Sequence, residues 1–331
     1  MDDTCFECPR CLYREPLRAG MRYCPRCGLA GAKEAWLDRS PVTVSVGRSV
    51  YQVLDRLAVG SLCSVYRCRF MDGKRERVGV LKVAREERAN ACVANEAQVL
   101  RRLAVGRESA RFGAFVPQLR DTLGMGGGPG EPVRQANVLA MREEIRSPDE
   151  LYTLQEVRRH FPAGLDARHV AWIWRRVLTV LGFSHANDVV HAAVLPMHVL
   201  IEPREHKLIL VDWCCAVADA SRHTGAASIV TAGYAHWYKR EGALREPPGP
   251  GLDIGLAARC MVELLGGDGE NVRLPAAVEP AIARYFQRCL GLEAAARPGA
   301  WQLLEEFDKL VDVLWGPRRF RVLDLPPKAG V

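Results

Sequence analysis

Residues 189–214 read VVHAAVLPMHVLIEPREHKLILVDWC, and this stretch decides the fold. Two apolar runs flank the polar turn at 202–207, a pattern that predicts a β-hairpin. A loop containing Pro196 leads into the first strand, and Asp212 follows the second. The stretch therefore predicts a loop, a hairpin and an acidic residue in succession.

The same stretch resembles the catalytic loop and metal-binding segment of a eukaryotic-type protein kinase, whose pattern is H-R-D-L-K-P-x-N, a hairpin, then D-F-G. His191, Asp212 and Trp213 keep the frame of that pattern. The resemblance implies that the base aspartate is replaced by alanine, the charge-clamping lysine by leucine and the metal-binding asparagine by histidine. These replacements are Ala193, Leu195 and His198, so the catalytic loop is degenerate and no catalytic residue is assigned with it.

Upstream motifs extend the resemblance to the nucleotide side of the site. Val78–Val83 is similar to the kinase strand V-A-I-K, which implies that Lys82 contacts nucleotide phosphates. Glu96 follows on an apolar helix face, where a carboxylate needs a partner, and Lys82 is the natural one. Of the glycine-rich loop only Gly60 remains. The resemblance implies an ATP site with Mg²⁺ or Mn²⁺ on Asp212.

Downstream motifs concern structure rather than chemistry. Asp253 opens an apolar helix, and the resemblance implies that it holds the backbone of the loop. Arg297 should pair with a glutamate, but the family's A-P-E motif is absent and no partner can be named from the sequence. We interpret His185 as a structural histidine, and Asp188 as lying too early to serve the loop.

The resemblance covers nearly all of the chain after Tyr51 and implies an α+β, bilobal protein kinase-like fold. We predict a zinc ribbon at 1–30, a linker at 31–49 with an added strand at Val42–Val46, and a kinase-like domain at 50–315. Within that domain the N-lobe covers 50–141 and the C-lobe 145–315, with the hinge at 142–144. A tail at 316–331 should be extended. The length of 331 residues suits such an organisation.

Five of the twelve cysteines lie in the first 27 residues. Two Cys-Pro-Arg-Cys knuckles are separated by twelve residues, a spacing typical of a tetrahedral zinc site. The predicted ligands are Cys8, Cys11, Cys24 and Cys27, and Cys5 could replace Cys8. The segment is either a docking module for a protein partner or a metal staple for a short segment without a core.

Composition restricts the remaining classes. The net charge of +7 is spread along the chain, and residues 1–40 hold seven basic and six acidic residues, which argues against a nucleic-acid surface. No apolar run reaches about 18 residues, so no membrane span is expected. The acidic N-terminus lacks a signal-peptide core, and we expect a cytoplasmic protein.

Three functional hypotheses follow. The first is a kinase-like, nucleotide-binding regulatory or interaction module, a pseudokinase without its catalytic base, docked to a protein partner through the zinc ribbon. The second is an atypical ATP-dependent transferase that moves a phosphoryl or nucleotidyl group with Lys82, Glu96 and Asp212, with His198 on another metal. The third is a scaffold whose nucleotide pocket is closed, motivated by Val80 and by the lost glycines.

Overall fold

A computed structural model describes residues 5–7, 14–16, 42–125, 133–140, 145, 147–227, 229–326 and 328. The protein is α+β and divides into two compact units. The first unit comprises residues 1–97 and 118–148, and the second comprises 98–117 and 149–331. The predicted zinc ligands and the predicted hinge at 142–144 lie outside the described residues.

The first unit is built from antiparallel strands. β1 (Cys5–Glu7) pairs with β2 (Arg14–Pro16), with Phe6 opposite Glu15. A six-stranded sheet follows in the order β3-β4-β5-β6-β8-β7. Its strands are β3 (Val42–Val46), β4 (Ser49–Val59), β5 (Cys63–Asp72), β6 (Arg75–Ala84), β7 (Gln118–Met125) and β8 (Arg134–Ala140).

Alternating side chains form the core of this sheet. Tyr51 and Val53 of β4 are buried together with Tyr66, Cys68 and Phe70 of β5, as the two-residue period of a strand requires. Burial raises the pKa of the Cys68 thiol to about 12, so this cysteine behaves as an apolar core residue. The register between β4 and β5 shifts twice, which curls the sheet.

Helix α1 (Asn90–Ala104) begins in the first unit and ends in the second. The second unit is mainly helical, and it adds a three-stranded sheet in the order β12-β11-β9 and a two-stranded pair, β10 with β13. The helices are α2 (Ser109–Phe112), α3 (Leu154–His160), α4 (Ala167–Ala186), α5 (Ala235–Arg240), α6 (Pro250–Leu264), α7 (Pro280–Gly291) and α8 (Ala300–Trp315). The strands are β9 (Tyr152–Thr153), β10 (Val189–Val190), β11 (Val199–Glu202), β12 (Lys207–Leu210) and β13 (Val217–Ala218).

Helix α4 is the centre of the second unit. It carries twelve buried residues, including Trp174 and Phe183, and it packs against α6 and α8. Helix α6 is buried along almost its whole length, in agreement with its mainly apolar sequence, and its charged residues Asp253 and Arg259 are buried as well. None of the described helices has the length and the apolar run needed to cross a membrane.

The predicted hairpin is confirmed, because β11 and β12 pair antiparallel with Val199 opposite Leu210. The strand expected at Val42–Val46 is also present. Before the following helix, Tyr152 and Thr153 pair with β11, and the helix itself begins at Leu154. The Thr153 side chain then caps that helix together with Glu156.

After α8 the chain runs without helix or strand to Pro326. It is nevertheless attached to the second unit. Leu323 is buried and its N–H donates to the carbonyl of Pro203, while the Tyr152 hydroxyl donates to the carbonyl of Pro326.

Candidate functional site

A buried ion pair lies in the first unit. Lys82 on β6 and Glu96 on α1 are 6% and 0% exposed, and Lys82 Nζ lies 2.9 Å from Glu96 Oε1. Two charges that are buried away from water are stable only when each has a partner of opposite charge. The pairing that the sequence predicted is therefore formed.

Asn137 completes this pair and was not found by the sequence reasoning. Its Nδ2 donates to Glu96 Oε2 at 3.0 Å and to the Val93 carbonyl at 2.8 Å, so both carboxylate oxygens of Glu96 are engaged. The feature of the sequence that could have indicated it is the position of Asn137, between Ala136 and Val138 in the apolar part of β8. A polar side chain at a core position of a strand indicates a buried partner.

At the turn that contains Gly60, the backbone N–H and carbonyl of this glycine are already hydrogen-bonded. The Gly60 N–H donates to the Cys63 carbonyl at 2.8 Å, and the Gly60 carbonyl accepts from Arg85 Nη1 at 3.0 Å. A Cβ atom at Gly60 would meet only the Cys63 carbonyl oxygen, at 3.5 Å, which is an ordinary contact. In this conformation the Gly60 amide is directed into its own turn, so the phosphate contact predicted for Gly60 requires the turn to open.

In the second unit, Asp253 holds the loop at 191–196. Its Oδ2 accepts from the His191 N–H at 2.8 Å and its Oδ1 from the Ala192 N–H at 2.7 Å. His185 Nε2 lies 2.9 Å from Asp253 Oδ2, so His185 has the structural role that the sequence predicted. Ala192 has a positive φ of 59°, a conformation unfavourable for alanine that these bonds stabilise.

His191 is a neutral ring inside the core. Its Nδ1 accepts from the Ala193 N–H at 3.2 Å, and its Nε2–H donates to the Val211 carbonyl at 3.0 Å. Burial lowers the pKa of His191 to about 4. Its ring meets Trp213 edge-on with centroids 4.5 Å apart, so His191 packs the loop and is not exposed for catalysis.

Two of the three degenerate positions, Ala193 and Leu195, offer no acid or base. Ala193 and Leu195 are 1% and 0% exposed. Asp188 binds elsewhere, as expected, because it accepts from the N–H and the hydroxyl of Ser221 at 2.9 and 2.8 Å. The Ser221 N–H bond is the main cause that lowers the pKa of Asp188.

His198 faces Asp212. His198 Nδ1 lies 2.8 Å from the Ala193 carbonyl, so it carries the proton and donates, and His198 Nε2 lies 3.0 Å from Asp212 Oδ2. A carboxylate accepts but does not donate, which leaves two arrangements: an imidazolium–carboxylate ion pair, or two ligands of one cation. Ligands at about 2.1 Å on adjacent octahedral positions lie about 3.0 Å apart. The separation therefore suits both arrangements.

Glu241 is the partner of Arg297 that could not be named from the sequence. It is buried between two arginines: one carboxylate oxygen accepts from Arg259 Nε at 2.7 Å, and the other is paired with Arg297 Nη1. Arg297 also donates to the carbonyls of Gly251 and Cys289. A Cβ atom at Gly255 would clash with both Glu241 and Arg297, so the glycine makes room for this cluster.

No protein-family model matches the chain, and no curated protein matches it. The geometry of the two units therefore carries the functional argument.

Proposed function

We propose that the chain is a kinase-like regulatory or interaction module, a pseudokinase that holds a nucleotide without transferring its phosphate. One contrast supports this proposal. The buried Lys82–Glu96 pair is intact and satisfied by Asn137, whereas Ala193 and Leu195 are buried apolar side chains. Phosphoryl transfer also needs a group that receives the substrate hydroxyl and a charge on the moving phosphoryl group, and neither Ala193 nor Leu195 can supply one.

The assignment of a bilobal, kinase-like fold is part of the same proposal. A curled antiparallel sheet in one unit and a helical body in the other agree with a bilobal kinase-like fold. The Asp253 bonds to the loop and the Glu241–Arg297 pair support it further, because both hold backbone segments that this fold must fix.

The N-terminal segment is proposed to be a zinc ribbon through which a protein partner docks. Cys8 and Cys11 lie in sequence between the paired strands β1 and β2. A knuckle between two antiparallel strands is a common setting for a pair of zinc ligands, and Cys24 and Cys27 would complete the tetrahedral site.

If a nucleotide binds, Lys82 would meet its phosphates, and Asp212 would hold the accompanying cation. The residues present fit such a cation, because His198 Nδ1–H is fixed by the Ala193 carbonyl and its Nε2 is directed to Asp212. An imidazole favours Mn²⁺ or Zn²⁺ over Mg²⁺. The cation would supply charge neutralisation for the phosphates when bound.

The test is a thermal-shift and calorimetric titration with ATP and ADP, in Mg²⁺ and in Mn²⁺. Wild type should gain about 2.7 kcal/mol of stability at one hundred times the dissociation constant. Lys82→Ala should lose most of the binding. Lys74→Ala is the matched control, since Lys74 is an exposed lysine of the same unit. If millimolar nucleotide shifts neither wild type nor control, the closed scaffold replaces this proposal.

A second candidate is the atypical transferase, favoured by the His198–Asp212 arrangement. Labelled ATP with generic protein substrates, in Mg²⁺ and in Mn²⁺, distinguishes the two through γ-phosphate and AMP transfer. We expect neither transfer to occur. AMP transfer abolished by Asp212→Ala would establish the transferase, and γ-phosphate transfer abolished by the same change would refute the pseudokinase.

A further inference from the structure

A cleft of about 220 Å³ opens on the second unit, in a region that includes α4, the turn between β11 and β12, and the tail. None of its residues belongs to the candidate site described above. Five of the eight lining residues are arginines and three are aromatic or imidazole rings. They are Arg168, Trp172, Arg175, His206, Arg318, Arg319, Phe320 and Arg321.

Three stacked rings fix the tail at this cleft. Trp172 and His206 are stacked with centroids 4.1 Å apart and planes 6° apart, and Phe320 lies 4.4 Å from His206 on a tilted plane. His206 Nε2–H donates to the Arg321 carbonyl at 2.6 Å. Burial lowers the pKa of His206, so the ring is neutral near pH 7 and this anchor does not depend on its charge.

Two features of the cleft are only partly satisfied by the described residues. The Trp172 side chain is 9% exposed, and its buried indole N–H has no acceptor in the part of the chain that the structure describes. Phe320 is 63% exposed, so a large apolar ring stands in water beside the arginines. An exposed apolar ring beside arginines at a concave place is a feature that a bound ligand would cover.

The charges of the cleft are not balanced. Arg175 binds Asp308, with Nε at 2.6 Å from Oδ1, and Arg318 binds Asp308 at 2.8 Å and Asp312 at 3.7 Å. Five guanidinium groups against these two carboxylates leave three positive charges.

The three remaining guanidinium groups lie at the surface. Arg168 lies over the Trp315 ring at 5.1 Å, and Arg168, Arg319 and Arg321 have no carboxylate within 4.0 Å among the described residues. Asp166, the nearest acid in sequence to Arg168, accepts from the Arg168 backbone N–H as the cap of α4. The excess charge is therefore concentrated at the mouth of the cleft.

We propose that this cleft binds a phosphorylated peptide segment of a partner protein. Guanidinium groups bind phosphate oxygens in pairs, and a phosphomonoester carries about −1.5 to −2 charges near pH 7, which the three unpaired arginines can balance. The exposed Phe320 ring would cover the neighbouring peptide residue. A single concave site with one exposed ring favours a phosphopeptide over single-stranded nucleic acid, which uses an extended groove with several stacking rings.

This proposal is independent of the nucleotide site, so either can fail alone. The test measures binding of fluorescent peptide pools to the full chain by polarisation. The pools have randomised positions around a central phosphoserine, phosphotyrosine, serine or glutamate. A 15-nucleotide oligouridine and inorganic phosphate serve as further probes. At least one phosphorylated pool should bind about tenfold or more tightly than the serine pool, and inorganic phosphate should compete.

Two double variants test the location. Arg319→Ala/Arg321→Ala should weaken phosphopeptide binding about tenfold or more, and Arg319→Lys/Arg321→Lys should recover it only in part because lysine cannot bind in the bidentate mode. Arg245→Ala/Arg284→Ala removes the same charge from exposed arginines elsewhere on the unit and should change binding less than about twofold. Unchanged melting temperatures verify folding.

Three results would overturn the proposal. The first is equal binding of the phosphorylated and serine pools. The second is an equal loss of binding in the cleft variant and the control. The third is tighter binding of oligouridine with a steep salt dependence, which would assign the surface to nucleic acid.

Discussion

Replacing Lys82 by methionine should destabilise the protein strongly, because it leaves Glu96 charged and buried. Glu96 is fully buried, and its Oε1 would lose Lys82 while its Oε2 keeps the Asn137 amide. Removing one member of a buried ion pair costs about 3–5 kcal/mol. In the double variant Lys82→Met/Glu96→Gln no charge remains, and the glutamine oxygen can still accept from Asn137. The double variant should therefore lie within about 1 kcal/mol of wild type.

The assay has to report on the first unit. Of the seven tryptophans all except Trp36 lie in the second unit, so tryptophan fluorescence reports mainly on that unit. Hydrogen exchange of the segment Arg75–Ala84 measures the opening of β6 directly. A loss of about 3 kcal/mol should raise its exchange rate about 150-fold in Lys82→Met, and the double variant should return close to wild type.

The double variant should then separate the effect of the pair on stability from its effect on nucleotide binding. The double variant should regain stability but not nucleotide binding, because the methionine side chain that replaces Lys82 offers no charge to a phosphate. The reasoning would be refuted if Lys82→Met destabilised by less than about 1 kcal/mol, or if the double variant were as unstable as the single one.

The remaining predictions are these. Purified protein should contain one zinc ion per chain by elemental analysis, and Cys24→Ser should abolish it; zinc retained in that variant would contradict the ligand set. Burial keeps His191 neutral, so the unfolded state binds one proton more between about pH 4 and 6.5. Stability is therefore complete above about pH 6.5 and falls by about 3 kcal/mol towards pH 4 in urea titrations, a loss that His191→Gln should not show. Glu241→Gln should cost about 3–5 kcal/mol by thermal unfolding, whereas the exposed Glu246→Gln should be neutral, and equal melting temperatures would contradict the buried cluster.

The sequence predicted those features whose causes are local. The hairpin at 199–210 follows from two apolar runs and a polar turn, and Glu96 is placed on a helix face by periodicity within α1. Asp253 is the exception, since its contact with the loop spans 62 residues and was inferred only through the kinase resemblance. That expectation is nevertheless confirmed as a contact, because two loop N–H groups donate to its carboxylate.

Glu241 and the arginine cleft were not predicted, for a physical reason. Glu241 stands 56 residues before Arg297 among several other charged residues, and nothing local distinguishes a glutamate that will be buried from one that will be solvated. The cleft unites α4, one hairpin turn and the tail, and the turn and the tail alone are 115 residues apart in sequence. Its charge excess exists only after folding, so a count of charges along the chain could not show it.

The bonds that fix the loop backbone do not depend on the side chains at positions 193 and 195. Its backbone is held by Asp253 through the N–H groups of His191 and Ala192, and by the ring of His191 through the Ala193 N–H and the Val211 carbonyl. None of these bonds involves the side chains at positions 193 and 195. Apolar side chains at these positions leave the backbone bonds intact, and burial of Ala193 and Leu195 adds to the core. The groups that hold the loop and the side chains at these two positions are therefore separate sets, as the proposed pseudokinase requires.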